Sequence, residues 1–316
     1  MARLLKSLSS LIVLVIVGTL TASAQSYPSK PVRIITAPVG GGNDFAARLI
    51  AQHLSPALGQ PVIVDNRQTT LTATIAAEAV PDGHTLLLTA NFMWIAPLMQ
   101  KTAYDPVKSF APVSLILTSP HVLVVHPSVA ANTVKDLIAL AKSKPGELNY
   151  AAAEPGSANQ LTGELFKSIA GVNIVGITYK GAGPAVIALL GGQVQMMFTS
   201  PASVAAHIAA GKLRALGVSS AKPSALFPEL PPVAASLPGF EFASTYAMFA
   251  PARTPQATVR LLKREIVKVL GLPDVKEKFF AVRVETVGTT PEELAATVRA
   301  DMIKWAKVIK DAHIGE

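Results

Sequence analysis

Val32-Arg33-Ile34-Ile35-Thr36, Ala37-Pro38-Val39-Gly40-Gly41-Gly42-Asn43 and then residues 44–58 form the stretch that decides the fold. Its first part is β-branched and apolar, as in a buried strand. Its last part carries Phe45, Leu49 and Leu54 on one face of a helix. A strand that turns through a loop into a helix opens an α/β sheet, and ligands of such sheets bind beyond the carboxyl ends of the strands. Three consecutive glycines remove every Cβ, so a ligand can approach the backbone. The helix that follows aims free N–H groups and a partial positive charge at it. Asn43 or Asp44 is placed to cap that helix. Two readings of the loop stand: an anion or carboxylate site, which the three glycines favour, and a plain tight turn.

Outward from this stretch the same alternation continues. Strands are expected at 62–64, 85–89, 113–117 and 122–125, with a helix at 73–80 and a turn at Pro81-Asp82-Gly83. The pattern then restarts. Thr133 and Asp136 have capping-box spacing before a helix to residue 143. Strand 149–152 leads through Glu154-Pro155-Gly156-Ser157 into helix 159–170, and strands at 174–178, 195–198 and 214–218 alternate with helices at 184–190 and 202–210. A proline-rich segment, 223–238, breaks the series before a return strand at 246–250. Two long helices close the chain, with Thr254-Pro255 and Thr290-Pro291 each placing a cap before a proline.

The expected fold is therefore α/β: two parallel-rich sheets flanked by helices, with a cleft between two lobes. Residues 25–126 and 246–316 form lobe 1, and residues 127–245 form lobe 2. Two strands cross between them, near 122–126 and 246–250. The loops after each strand supply the candidate ligand-binding residues. These are Pro38, Gly40, Gly41, Gly42, Asn43 and Asp44 in the first loop, with Thr69, Thr70 and Asn91 farther along lobe 1. Lobe 2 offers Glu154, Gly156, Ser157, Asn159 and Gln160, then Tyr179, Thr199 and Ser200, and the return strand offers Tyr246.

Composition excludes several classes. Half the 316 residues are hydrophobic and only 15% charged, which rules out disorder. The absence of cysteine removes disulfides, thiolate metal sites, a cysteine nucleophile and a lipid-attachment site. The net charge of +8 comes from singly scattered lysines and arginines with few aromatics between them, so no nucleic-acid groove is expected. Arg3 and Lys6, an apolar run at 8–20 and Ala22-Ser23-Ala24 have the layout of a signal peptide, residues 1–24, cleaved after Ala24. The alternative, a membrane anchor, is disfavoured because a helix needs roughly 20 apolar residues to span a bilayer.

Nucleotide and catalytic motifs fail. Gly40 to Phe45 and Gly181 to Val186 both lack the last glycine of the dinucleotide fingerprint, and Gly211-Lys212 lacks the spacing of a P-loop. Gly156-Ser157-Ala158-Asn159 is not the nucleophile elbow of a serine hydrolase, and the six histidines show no paired metal spacing. No enzyme activity, cofactor or metal is expected.

Several short motifs, in order, resemble the Bug-type receptors of the tripartite tricarboxylate transporter family. They are Tyr27-Pro28-Ser29-Lys30-Pro31, Gly40-Gly41-Gly42-Asn43-Asp44, Leu58-Gly59-Gln60-Pro61, Asp65-Asn66-Arg67, Pro81-Asp82-Gly83 and Tyr104-Asp105-Pro106-Val107-Lys108. Tyr179-Lys180-Gly181, Leu190-Gly191-Gly192-Gln193-Val194, Ala210-Gly211-Lys212-Leu213-Arg214 and Thr290-Pro291-Glu292-Glu293 complete the set. The resemblance spans the whole chain after the signal peptide. It implies a two-lobed periplasmic-binding-protein fold (type II-like) and a monomer, not a lipoprotein, in the periplasm of a Gram-negative bacterium. The expected ligand is a small organic anion or amide, taken up with permease subunits or passed to a sensor. A ligand-free interaction protein is the alternative. The chain departs from the family pattern where Gln68-Thr69-Thr70-Leu71-Thr72 replaces a glycine-rich loop, and at Glu154, Gln160 and Thr199, where Gly, His and Asp are usual. Either Glu154 faces the cleft, where its charge repels polycarboxylates and attracts a donor, or it points to solvent.

Overall fold

The computed structural model describes residues 27–153 and 157–311. The expected signal peptide and the candidates Glu154 and Gly156 lie outside the described residues. Among those described, no helix is long and apolar enough to cross a membrane.

The chain opens as a parallel unit. β1 (Val32–Thr36) leads into α1 (Gly42–Leu58), β2 (Val62–Asn66), α2 (Thr69–Ala77) and β3 (Thr85–Ala90), with β1 parallel to both β2 and β3. Successive β1 side chains enter different cores, as the twofold repeat of a strand requires. Ile34 packs with Leu86, Leu88 and the α1 residues Ala46, Ile50 and Leu54, whereas Ile35 and Leu87 face the opposite side. Helix α2 starts four residues before its expected position, because the Leu71 N–H closes a first turn on the Gln68 carbonyl at 2.8 Å. A one-turn helix, α3 (Phe92–Ile95), was not legible in the periodicity. It precedes β4 (Phe110–Pro120), which runs well beyond its expected ends.

The second sheet takes β5 (Val122–Val125), α4 (Val134–Ser143), β6 (Asn149–Ala152), α5 (Ala158–Ala170), β7 (Val175–Thr178), α6 (Ala182–Leu190), β8 (Met196–Thr199), α7 (Pro201–Ala209) and β9 (Arg214–Val218). Its strand order is β7-β6-β8-β5-β9. Strand β5, expected with lobe 1, pairs antiparallel with β8 and β9 in this sheet. Leu123 and Val125 face one core and Val122 and Val124 another, so both sheet faces are covered. Thr133 and Asp136 close the capping box of α4.

The chain then returns to the first sheet through β10 (Ala243–Pro251), which lies antiparallel between β3 and β4. Helices α8 (Gln256–Gly271) and α9 (Pro273–Ala281), the short β11 (Glu285–Thr286) and α10 (Pro291–Asp311) follow. The two long closing helices are α8 and α10, with the nine-residue α9 set between them. Leu272 is extended before Pro273, and proline cannot continue the helix that precedes it. Thr254 does not cap α8; its hydroxyl donates to the Pro251 carbonyl. The first sheet reads β11-β4-β10-β3-β1-β2, so each sheet joins a parallel portion to antiparallel strands that carry the crossings.

The two crossings touch. One is His121, between β4 and β5; the other is Phe242, before β10. Ser219 joins them: its Oγ accepts from the His121 N–H at 2.7 Å and donates to the Phe242 carbonyl at 2.6 Å. Its backbone also bonds both residues, and the His121 and Phe242 rings lie 5.0 Å or less apart, at 4.9 Å.

Trp94 on α3 joins this framework to α10. It is fully buried, and its Nε1–H donates to Asp301 Oδ2 at 3.0 Å. Burial raises the Asp301 pKa above the usual carboxylate range, and the Trp94 bond and the Lys304 charge only partly offset it. A raised folded pKa means stability is present at low pH and is lost as pH rises through it. Asp301→Asn keeps an acceptor for Trp94 and removes that loss. In urea unfolding the variant is expected to be more stable than the parent at pH 7.5, with the advantage shrinking at pH 4. An equal or larger advantage at pH 4 would rule this account out.

Candidate functional site

The glycine loop before α1 is held from below. Gly40 has φ +89°, a conformation that favours glycine. Its N–H donates to Asp44 Oδ2 at 3.1 Å. Asp44 Oδ1 accepts from Asn66 Nδ2 and pairs with Arg48 Nε, both at 2.9 Å. Burial alone would raise the Asp44 pKa, but hydrogen bonds from Arg48, Gly40 and Asn66 and the Arg48 charge outweigh it and hold it low. Asp44 is 5% exposed and does not line the cleft. It is a clamp beneath the loop rather than a cap. Gly41 takes the N-cap position without a side-chain cap, and the first helical bond runs from the Phe45 N–H to the Gly41 carbonyl. The N–H groups of Gly42, Asn43 and Asp44 thus have no partner within the helix.

The loop meets β10 closely. A Cβ on Gly42 would lie 2.6 Å from Tyr246 Oη. Gly42 has no positive φ, so its lack of a side chain serves this close approach rather than the backbone.

Lobe 2 faces this loop with three more helix starts. Ser157 caps α5, its hydroxyl accepting from the Gln160 N–H. Asn159 is anchored by donating to the Phe198 carbonyl at 2.6 Å. Gly181, φ +108°, precedes α6, whose third residue is Pro184, so the N–H groups of Ala182 and Gly183 precede the first helical bond. Ser200 and Ser203 stand at the start of α7, their hydroxyls 2.8 Å apart. Thr69 and Thr70 open α2 on the lobe 1 side.

These five helix starts surround a cleft of about 740 Å³. Of the expected residues, Pro38, Gly40 to Asn43, Thr69, Thr70, Ser157, Asn159, Thr199, Ser200 and Tyr246 line it. Gln160 does not. Tyr179 packs against the lobe 2 core while the next residues, Lys180 to Pro184, reach the cleft. Asn91, 3% exposed, instead donates to the Ala243 carbonyl and ties the end of β3 to β10.

Sequence reading missed Phe92, Lys101, Tyr104, His121, Lys180 and Ser244, all of which line the cleft. Gly181 and Gly183 did carry a signal, because a failed dinucleotide fingerprint can still be a helix start open to a ligand. Among the described lining residues there are two lysines, Lys101 and Lys180, and no carboxylate. Aligned helix N-termini and lysines favour an anion.

His121 and Ser244 form a buried pair, Nε2 to Oγ 2.9 Å. Burial pushes the His121 pKa down to about 3. A histidine so reluctant to take up a proton is poorly suited to act as a general base toward Ser244. Among the described residues no group of three or more His, Cys, Asp or Glu side chains is placed to hold a metal ion.

Fold and site together define a two-lobed solute-binding protein. Residues 46–314 match the tripartite tricarboxylate transporter family receptor. Protein BugT of Bordetella pertussis is 35% identical over 297 residues, covering 92% of this chain and 91% of its own. The structure of Rhodopseudomonas palustris Rpa4515 with adipate superposes with a TM-score of 0.86 at 32% identity, covering 91% of this chain and 99% of that one. MatC from the same organism, with bound malate, gives 0.83 at 28% identity, covering 90% and 100%. The chain belongs to the tripartite tricarboxylate transporter receptor family, and the Bug-type resemblance of its motifs holds.

Proposed function

We propose that this receptor captures a small organic acid in the interlobe cleft and delivers it, unchanged, to membrane permease subunits. The observation that carries this reading is the convergence of five helix N-termini on one cleft, joined by Lys101 and Lys180. In this reading the carboxylate sits on the N–H groups that follow Gly41, with the starts of α5, α6 and α7 closing on the ligand from lobe 2. The adipate and malate held by the two Rhodopseudomonas proteins support an acid of modest size. In this reading residues 1–24 are removed on export and the receptor works in the periplasm, where such a solute arrives.

The test is a thermal-shift screen of mono-, di- and tricarboxylates, amino acids and amides. A ligand that binds only the folded state adds about 2.7 kcal/mol at 100 times its Kd. A screen in which no acid raises the melting temperature would overturn the reading.

A further inference from the structure

Outside the cleft, one arginine ties lobe 1 to lobe 2. Arg283 stands in the turn between α9 and β11, with φ +61°. Glycine is the usual occupant of a left-handed residue at a helix end, and any residue with a Cβ is strained there. The arginine side chain is engaged with the other lobe. Its Nη1 donates to the Leu226 carbonyl, its guanidinium lies 5.4 Å over the Phe227 ring, and its Nη2 is 3.4 Å from Glu229. The ion pair is half-exposed and contributes little; the charge-assisted bond and the stack carry the contact. Leu226 and Phe227 are buried in the lobe 2 core with Val122, Val124 and Val218. At the backbone, the Ser119 hydroxyl shares its proton between the Pro120 and Arg283 carbonyls, both at 3.2 Å. Arg283 is thus fixed to the end of β4 by its main chain and to lobe 2 by its tip.

The strand orders set this contact against the cleft. In the first sheet, β10, β3 and the loops after β1 and β2 line the cleft and lie on one side of β4, whereas β11 lies on the other. In the second sheet, the loops after β6, β7 and β8 line the cleft from one side of β5. Strand β9, which leads into residues 226–229, lies on the other. His121, between β4 and β5, marks the divide. The Arg283 contact and the cleft therefore occupy opposite flanks of one crossing. A rotation about that crossing that narrows the cleft draws Arg283 away from residues 226–229, so the contact and a closed cleft compete.

We infer that Arg283 is a latch that holds the empty receptor open. Part of the free energy of ligand binding then goes into releasing it, and the populations of open and closed receptor are set in part by a residue that touches no ligand. The latch belongs to the two-lobed receptor and acts whatever acid the cleft takes.

The test is the distance between the lobes in the mature receptor, refolded from urea to strip bound solute and read by double electron–electron resonance. The chain has no cysteine, so Leu71→Cys on α2 and Ile187→Cys on α6 carry the only spin labels. Both side chains are exposed and neither residue lines the cleft, while the helices that bear them start at it. The parent is expected to show mainly a long distance. Arg283→Ala is expected to raise the ratio of short to long populations about tenfold. Arg283→Lys is expected to raise it less, because lysine keeps the charge near Glu229 and loses the planar group over Phe227. Arg253→Ala is the control: Arg253 also has a positive φ, +68°, and its side chain has no partner among the described residues. It is expected to match the parent. Circular dichroism melts establish folding; should Arg283→Ala fail to fold, Arg283→Lys carries the comparison. An unchanged or longer distance in the folded Arg283 variants overturns the inference, as does a parent already at the short distance or an equal shift in Arg253→Ala. The readout needs no ligand, so its failure and the failure of the organic-acid reading are separate results.

Discussion

Gly42→Val is expected to weaken ligand binding by about a hundredfold, the equivalent of roughly 2.7 kcal/mol. The side chain would emerge at the first position of α1, where a Cβ already comes within 2.6 Å of Tyr246 Oη. Tyr246 is 6% exposed and packed into the core of the first sheet, so it cannot swing clear without disturbing that packing. The branched side chain would also project toward the space in which the bound carboxylate is proposed to sit. Gly271→Ala is the control, because a Cβ there meets nothing within 4 Å. Titration with whichever acid the screen identifies gives the comparison. Equal loss in both variants, or none in Gly42→Val, would remove the loop from the site.

Trp94→Ala has the largest expected effect on stability, a loss of about 3–5 kcal/mol in urea unfolding. The ring is fully buried, 6.1 Å from Phe249 by ring centroids, and fills the space between the first sheet and α10. Its removal leaves a cavity and strands the Asp301 carboxyl without its donor. Trp94→Phe retains most of the volume and is expected to lose less. A loss below about 1 kcal/mol for Trp94→Ala would mean that α10 is not held through this residue.

The large features of the fold were legible because they rest on local chemistry. β-branched runs, the Thr133 capping box and the glycine loop each act within a few residues of themselves. What escaped depends on distant partners. Ser219 looks like an ordinary end-of-strand serine until His121 and Phe242 are seen on either side of it. His121, Thr162 and Ser244 come together only because the chain leaves the first sheet and returns to it more than a hundred residues later. Asp44 was misread for a related reason. An acid in the first turn of a helix suits a cap, but here Asn66 from β2 and Arg48 draw it under the loop. Helix α3 was missed because one turn holds too few residues for a helical period to emerge.

The starts of five helices form the cleft, and what they offer a ligand is mostly main chain. Substitution rewrites side chains, but every residue except proline presents the same N–H. This chain and its Bordetella relative differ at most positions, yet the receptor family they share is plain. A seat of this kind is inherited almost free of sequence drift. The few side chains around it, Tyr246 and Asn43 among them, are open to change one at a time. Holding an acid and choosing among acids are therefore separately heritable, and a lineage can retune the second without endangering the first.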